Sequence, residues 1–313
     1  MPILNLYIIN NGLITINFSP LLFIGNMMFK SSSKTHIGHV RACNEDSFVA
    51  NEELGLWLVA DGVGGNGFGD FASQVLSQTV ERKLRLGSTL KEAIVDAHKT
   101  IIKLGENKPD VRGMASTVVA IQFKGEHFKV CWVGDSRAYL INETEIEPLT
   151  ADHNQAQYLF EQGEIDASEV RTHPAQRILM HAVGVDDEHW LVDQVEGRLF
   201  AGETILLCSD GLTGELADDE ILASFKKEQD LERIVDDLIE KALQRGGSDN
   251  ITIALVSLES PASDDDTTNK VPPMTFDLGS KNEPISKQGT AVKFIAFGIF
   301  IALLLVAVAL SFT

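Results

Sequence analysis

Acidic residues stand at five places where apolar runs begin or end, and they are the residues whose chemistry needs explaining. LWLVAD carries a hydrophobic run straight into Asp61, and TILLCSDG does the same with Asp210. GGSDNITIALV sets Asp249 just ahead of another apolar run, RACNED puts Glu45 and Asp46 before the strand-like SFVA, and VGDSRAY places Asp135 in a turn. A single aspartate of this kind is normally a turn former or a helix cap. Several of them at one end of the sheets cannot all stay ionised and close together without cations. Clusters of oxygen donors alone favour hard ions, Mg²⁺ or Mn²⁺. Glycines beside the donors, such as Gly62 and Gly64 after Asp61, leave room for carbonyls and ion-bound waters. A metal pair is the expectation, with Asp61 as its best bridging ligand.

Positioning these residues requires strands and helices. Strand-like runs are LWLVAD (56–61), STVVAIQF (116–123), HFKVCWVGDSRAYLI (127–141), TILLCSD (204–210) and NITIALVSL (250–258). The stretch 126–141 alternates around G-D-S-R and reads as an antiparallel hairpin. Helical periodicity marks DFASQVLSQTVERKLRL, TLKEAIVDAHKTIIKL and DLERIVDDLIEKALQRG, the last with glycines suited to a C-cap. Paired strands with grouped helices indicate an α+β fold of antiparallel sheets covered by helices.

The chain has 313 residues and a formal net charge of −19, with no basic stripe, so nucleic acid is excluded as a partner. Cys43, Cys131 and Cys208 are scattered without a C-x-x-C pair, which argues against disulfides and a thiolate zinc site. All three lie in apolar or strand-like contexts, where buried free thiols are expected. Residues 1–29 carry no charge, yet Asn5, Asn10, Asn11, Asn17 and Pro20 interrupt their apolar runs. That segment fits neither a secretory signal, which wants a basic start, nor a span; a start at Met27 or Met28 stands beside it as an alternative. Residues 30–259 are the expected globular domain. Residues 260–292, with Pro272, Pro273 and Pro284 among small polar residues, read as a disordered tether with a reach of roughly 30 Å. From Phe294 to Thr313 nothing is charged, and a helix of that length is about 30 Å long, enough to cross a bilayer core. Residues 293–313 are therefore the expected transmembrane anchor. Lys281, Lys287 and Lys293 precede it, which keeps the domain on the cytoplasmic side of the inner membrane.

R-A-C-N-E-D (41–46), D-G-V-G-G (61–65), G-D-S-R-A-Y (134–139), S-D-G-L (209–212) and G-S-D-N-I-T (247–252) occur in the order and rough spacing of one family. The chain resembles the metal-dependent PPM family, protein phosphatase type 2C, in its bacterial form, from about Lys30 to Leu258. Residues 149–165, T-H-P (172–174) and A-V-G (182–184) are similar to that family's flap. The resemblance implies an α-β-β-α sandwich with metals in a cleft at one end. It also implies that Asp61 bridges two Mn²⁺ or Mg²⁺ ions, with the Gly62 carbonyl on one of them. Asp210 and Asp249 would complete one shell, while Asp46, with Glu45, would hold the other ion through waters. Asp135 would share a third, weaker site with Asp210, and Arg41 would grip the substrate phosphate. Val63 stands where many eukaryotic members have a histidine thought to protonate the leaving group. His153 is a candidate substitute, although a flap hydrogen bond is the more ordinary role for a lone histidine. His181 stands where bacterial relatives often have arginine.

The expected activity is hydrolysis of phosphoserine and phosphothreonine in proteins by a metal-bridging hydroxide, reversing a Ser/Thr protein kinase at the membrane. A pseudophosphatase that only binds phosphoproteins would be expected to lack a ligand, and none of Asp46, Asp61, Asp210 or Asp249 is missing. A hydrolase of small phosphoesters would share the chemistry.

Overall fold

The computed structural model describes residues 23–24, 27–64, 68–187 and 190–259. The expected anchor, the tether and most of the N-terminal extension lie outside these residues. Among those described, no helix is long and apolar enough to cross a membrane.

In chain order the first elements are β1 (Phe23–Ile24), β2 (Met27–His36), β3 (Asp46–Asn51), β4 (Leu56–Val63), α1 (Gly69–Arg85) and α2 (Leu90–Asn107). There follow β5 (Ala115–Ser116), β6 (Val118–Lys124), β7 (His127–Val133), β8 (Arg137–Ile141) and β9 (Ile146–Pro148). An irregular excursion then carries α3 (Gln155–Glu161) and α4 (Ala167–Val170). The chain closes with β10 (Asp193–Arg198), β11 (Thr204–Cys208), α5 (Asp210–Thr213), α6 (Asp218–Lys227), α7 (Leu231–Arg245) and β12 (Ile251–Glu259).

Two antiparallel sheets result, in the orders β1-β2-β12-β11-β8-β9 and β10-β7-β6-β4-β3, with β5 paired to the end of β4. Each sheet buries both faces, which is why its central strands are continuous apolar runs rather than alternating ones. In β4, Trp57 and Val59 point into the inter-sheet core with Ile121, Phe123, Val130, Ile205 and Leu207. Its alternate residues Leu56, Leu58 and Ala60 face Leu76 and Val80 of α1 and Ile94 and Ile101 of α2. On the far side, Leu206, Cys208, Ile253 and Leu255 pack on Ile234, Val235 and Leu238 of α7. The architecture is the expected helix–sheet–sheet–helix sandwich. Local chemistry supports the helices: Thr89 and Glu92 form a reciprocal capping box on α2, and Asp230 caps α7.

Two expectations need correction. The stretch 127–141 is not a hairpin, because β7 pairs with β6 and β10 while β8 pairs with β11 and β9 in the other sheet. The G-D-S-R turn is a corner between sheets. Gly134 takes φ +107° there, and Ser136 Oγ lies 2.7 Å from Thr117 Oγ1, tying the corner to the neighbouring sheet. Alternation marks a strand but does not name its partner when both faces are buried. The second correction concerns Cys43, which is exposed in the loop before β3, whereas Cys131 and Cys208 are buried. Burial pushes their thiols up, to about 11 and about 12.

Candidate active site

Strand register brings the first two acidic residues together: Asp46, opening β3, is the direct cross-strand partner of Asp61 in β4. The Asp61 backbone is held from three directions. Its carbonyl accepts from Thr117 N–H (2.8 Å) and Ser116 Oγ (2.9 Å), and its N–H donates to Thr117 Oγ1 (3.1 Å). Asp46 reaches across to the other sheet, where its Oδ2 accepts from Thr252 Oγ1 (2.6 Å) and Ser209 Oγ (2.9 Å). Those two hydroxyls belong to the start of β12 and to the residue directly after β11, so one carboxylate ties the two sheets together at this end.

Asp210 opens α5 directly after β11, and Asp249 precedes β12. They lie side by side because residue 211 has no side chain: a Cβ there would run into the Asn250 carbonyl. Asn250 in turn organises the loop that carries Arg41 and Glu45. Its Oδ1 accepts from Glu45 N–H (2.8 Å), and its Nδ2 donates to the carbonyls of Ile37 (2.9 Å) and Cys43 (3.1 Å). Asp249 accepts from Arg41 Nη2 at 2.6 Å through Oδ2 and from Asn250 N–H at 2.8 Å through Oδ1. Glu45 turns its Oε1 to the Gly69 amide (3.2 Å), capping α1, whose own N-cap Phe68 offers no side-chain acceptor. Gly62 is packed so closely under this loop that a Cβ would meet the Gly69 and Glu45 carbonyls. Asp135 sits at the corner between the sheets.

Arg41, Glu45, Asp61, Gly62, Asp135, Asp210 and Asp249 all line one cavity of about 910 Å³; Asp46 lies buried behind it. Every predicted site residue is therefore at one end of the sandwich. Neither histidine is free to act: His153 Nδ1 accepts from Gly134 N–H (3.2 Å) and its Nε2 lies 3.2 Å from Asp193 Oδ2. His181 is 3.5 Å from Asp187. Four residues were not singled out from the sequence as site builders: Asn250, Ser209, Thr252 and Thr117. The first three stand inside the motifs quoted for their aspartates. Arg171 and Arg177 also line the cavity, from the excursion between β9 and β10.

The electrostatics are those of charges confined together. Burial, then the charges of Asp210 and Asp46, raise Asp61 well above the usual carboxylate range. Burial likewise pushes Asp46 up to about 7, although the Thr252 and Ser209 hydroxyls favour its charged form. Asp135 is raised by burial and by Asp210. Asp210 is raised by burial and by Asp249, against a hydrogen bond with Asp61. Two carboxyl groups in contact need either a shared proton or a cation. The buried Oδ1 atoms of Asp46 and Asp210 have no hydrogen-bond partner, a costly state that a cation would relieve. Among the described residues no three acidic, histidine or cysteine side chains form a ready-made ligand group. Each ion would thus take part of its shell from the chain and the rest from water, as Mg²⁺ commonly does. The donor set fits hard divalent ions.

A double-sheet sandwich with a cluster of oxygen donors at one end suits a metal-dependent hydrolase, and relatives identify which. Residues 34–255 match the protein phosphatase 2C family. The chain is similar to the serine/threonine phosphatase Stp of Listeria monocytogenes, at 32% identity over 236 residues, 71% of this chain and 93% of that protein. It is 32% identical over 238 residues to the serine/threonine protein phosphatase PstP of Mycobacterium tuberculosis, 74% of this chain and 45% of that longer protein. The crystal structure of the M. tuberculosis phosphatase matches with a TM-score of 0.68, over 74% of this chain and 99% of that one. A PstP catalytic domain in complex with two manganese ions matches with a TM-score of 0.66 at 30% identity, over 75% and 100% of the two chains. The chain belongs to the protein phosphatase 2C family and is a serine/threonine phosphatase of the bacterial type.

The raised carboxyl groups fix a pH dependence. The metal-free folded chain holds protons that the unfolded chain has already released, so these groups remove stability as pH rises. For Asp46 the loss runs from the ordinary aspartate value near 4 up to about 7 and then levels off. Thermal melts in chelator should fall across that window, and Asp46→Asn, which keeps a hydroxyl acceptor, should flatten the curve. Saturating Mn²⁺ should remove the fall, since the ion takes the place of the protons. A metal-free melting curve that rises steadily from pH 4.5 to 7 would contradict the assignment.

Proposed function

We propose that this chain removes phosphate from phosphoserine and phosphothreonine in proteins, using two Mn²⁺ or Mg²⁺ ions, and so reverses a Ser/Thr protein kinase. The observation that carries this is the contact between Asp61 and Asp210 beside the unpartnered Oδ1 atoms of Asp46 and Asp210. Such ions supply Lewis acidity, lower the pKa of water and neutralise phosphoryl charge. Asp61, at the centre of the cluster, would be shared between the ions, with Asp210 and Asp249 on one and Asp46 behind the other. The Gly62 carbonyl stands beside Asp61 for the same purpose, and Asp135 with Asp210 would hold a third ion. Glu45 contributes through its backbone and by fixing α1 more than as a direct ligand.

Arg41 is half exposed at the cavity wall, and one arm of its guanidinium is fixed by Asp249. The remaining N–H groups are pre-aimed to receive phosphoryl oxygens, with the fork's orientation already settled before substrate arrives. Proton delivery to the leaving oxygen cannot come from Val63. His153 has both ring nitrogens committed, so water is left as the donor.

Asp61→Asn tests the centre. It should lower activity on a phosphothreonine peptide by about a hundredfold or more and weaken Mn²⁺ binding. The metal-free variant should melt no lower than the parent, because one of several repelling buried charges is gone. Near-normal turnover in saturating Mn²⁺ would sink the assignment.

The place of action follows from residues 260–313. We infer a single-pass anchor at 293–313, with the lysine-bearing tether holding the catalytic domain at the cytoplasmic face of the inner membrane. Full-length chain should fractionate with membranes and resist alkaline extraction. Truncation after Ser260 should release a soluble domain with unchanged peptide activity. Recovery of the full chain in the soluble fraction, or digestion of the domain from outside intact spheroplasts, would overturn this topology.

A further inference from the structure

The cavity is lined by more than the acidic centre and Arg41. Four arginines reach it, and two are already committed: Arg41 pairs with Asp249, and Arg137 makes a bidentate pair with Asp152 at 2.8 and 2.7 Å. The other two, Arg171 just after α4 and Arg177 before Leu179, are exposed and have no carboxylate partner among the described residues. The acidic lining residues nearest in type are spoken for. Glu215 accepts from Ser248 N–H and Oγ, at 3.0 and 2.7 Å, and Glu45 accepts from Gly69. Glu169, on α4 itself, closes a capping box with Asp166.

Arg171 and Arg177 are carried by the excursion between β9 and β10, whereas the reacting phosphate belongs with Arg41 and the carboxylates at the sandwich end. Two uncommitted guanidinium groups on the wall contributed by a separate segment therefore suit an anion other than the phosphate being removed. A bound phosphopeptide has side chains on either side of its phosphorylated residue, and these would pass along that wall. The chain as a whole carries −19, which at long range favours basic peptides. Contact with the two arginines works in the opposite sense and survives physiological salt, where charges beyond about 8 Å are screened.

Resting on the phosphatase reading above, we propose that Arg171 and Arg177 form a recognition subsite for anionic side chains flanking the phosphorylated residue. The substrate class is thereby narrowed to phosphoserine and phosphothreonine in acidic or multiply phosphorylated contexts. Exposed charge pairs contribute modestly, so each arginine should account for roughly a two- to fivefold preference.

The test compares kcat/KM on four phosphothreonine peptides, identical except that the flanking positions are Glu, phosphoserine, Ala or Lys, in 0.15 M salt with saturating Mn²⁺. The wild-type chain should favour Glu over Ala about tenfold, through KM. Preference for phosphoserine over Glu would make the second source of the anion a phosphate, and equal rates would make it either. The pair Arg171→Ala and Arg177→Ala should bring the Glu-to-Ala ratio close to one, and the double charge reversal to Glu should turn the preference to Lys. Because the readout is a ratio within one variant, a general loss of activity does not mimic it. Equal wild-type kcat/KM on Glu and Ala peptides, or a ratio unchanged in the variants, overturns the subsite while leaving the phosphatase intact. No hydrolysis of any of the four peptides overturns both.

Discussion

Mutual repulsion among buried carboxylates is the constraint around which this molecule is arranged. Burial raises the proton affinity of Asp61, Asp46, Asp210 and Asp135, and neighbouring carboxylates raise each further: Asp210 acts on the other three, and Asp249 acts on Asp210. A fold gains nothing from such a cluster in its metal-free state. It is held by elements with no freedom to move apart: cross-strand register fixes Asp46 against Asp61, and hydroxyls of Thr252 and Ser209 fix Asp46 to the second sheet. Close packing at Gly62 and Gly211 excludes any side chain that would widen the gap. The three apolar layers on either side of and between the sheets supply the stability that this arrangement draws down.

The division of labour between the parts follows from that constraint. The sandwich end supplies the carboxylate cluster proposed to hold the cations, together with Arg41. The excursion from β9 to β10 adds the opposite wall; it closes on itself through the bridge Asn154–Leu179 and joins the sandwich through the bridge Ser116–Val183, the Arg137–Asp152 pair and the Gly134–His153 hydrogen bonds. One of these meets Ser116, whose hydroxyl also holds the Asp61 carbonyl, so the wall and the centre share a residue. Chemistry and choice of substrate thus sit on different segments of the same cavity.

Much of this was legible in the sequence because burial on both faces writes itself as unbroken apolar runs, and a charge ending such a run is conspicuous. LWLVAD and TILLCSDG are of that kind, and both aspartates lie in the cavity. What escaped has physical causes. The G-D-S-R corner alternates as a hairpin would, but which sheet a strand joins is decided by packing between strands distant in sequence. Cys43, expected with the other two to be a buried thiol, lies on the exposed loop between β2 and β3, where composition alone gives no sign of exposure. The bond from the Gly69 amide to Glu45 Oε1 was not legible either, since a helix start capped by a residue 24 positions away leaves no local signal. Arg171 and Arg177 lie in a polar stretch with no periodicity, and only the tertiary course of the chain brings them to the cavity.

If the cluster is a cation site, its carboxyl groups hold protons until metal displaces them. Calorimetric titration of the metal-free chain with Mn²⁺ at pH 6, repeated in buffers of different ionisation enthalpy, measures the protons released on binding. Asp46, with its proton affinity pushed up to about 7, and its raised neighbours must ionise to ligate, so net release of about one proton or more per chain is expected. Binding of Mn²⁺ with no proton release would mean that the carboxylates are already ionised in the metal-free chain and that the cluster holds no protons for metal to displace.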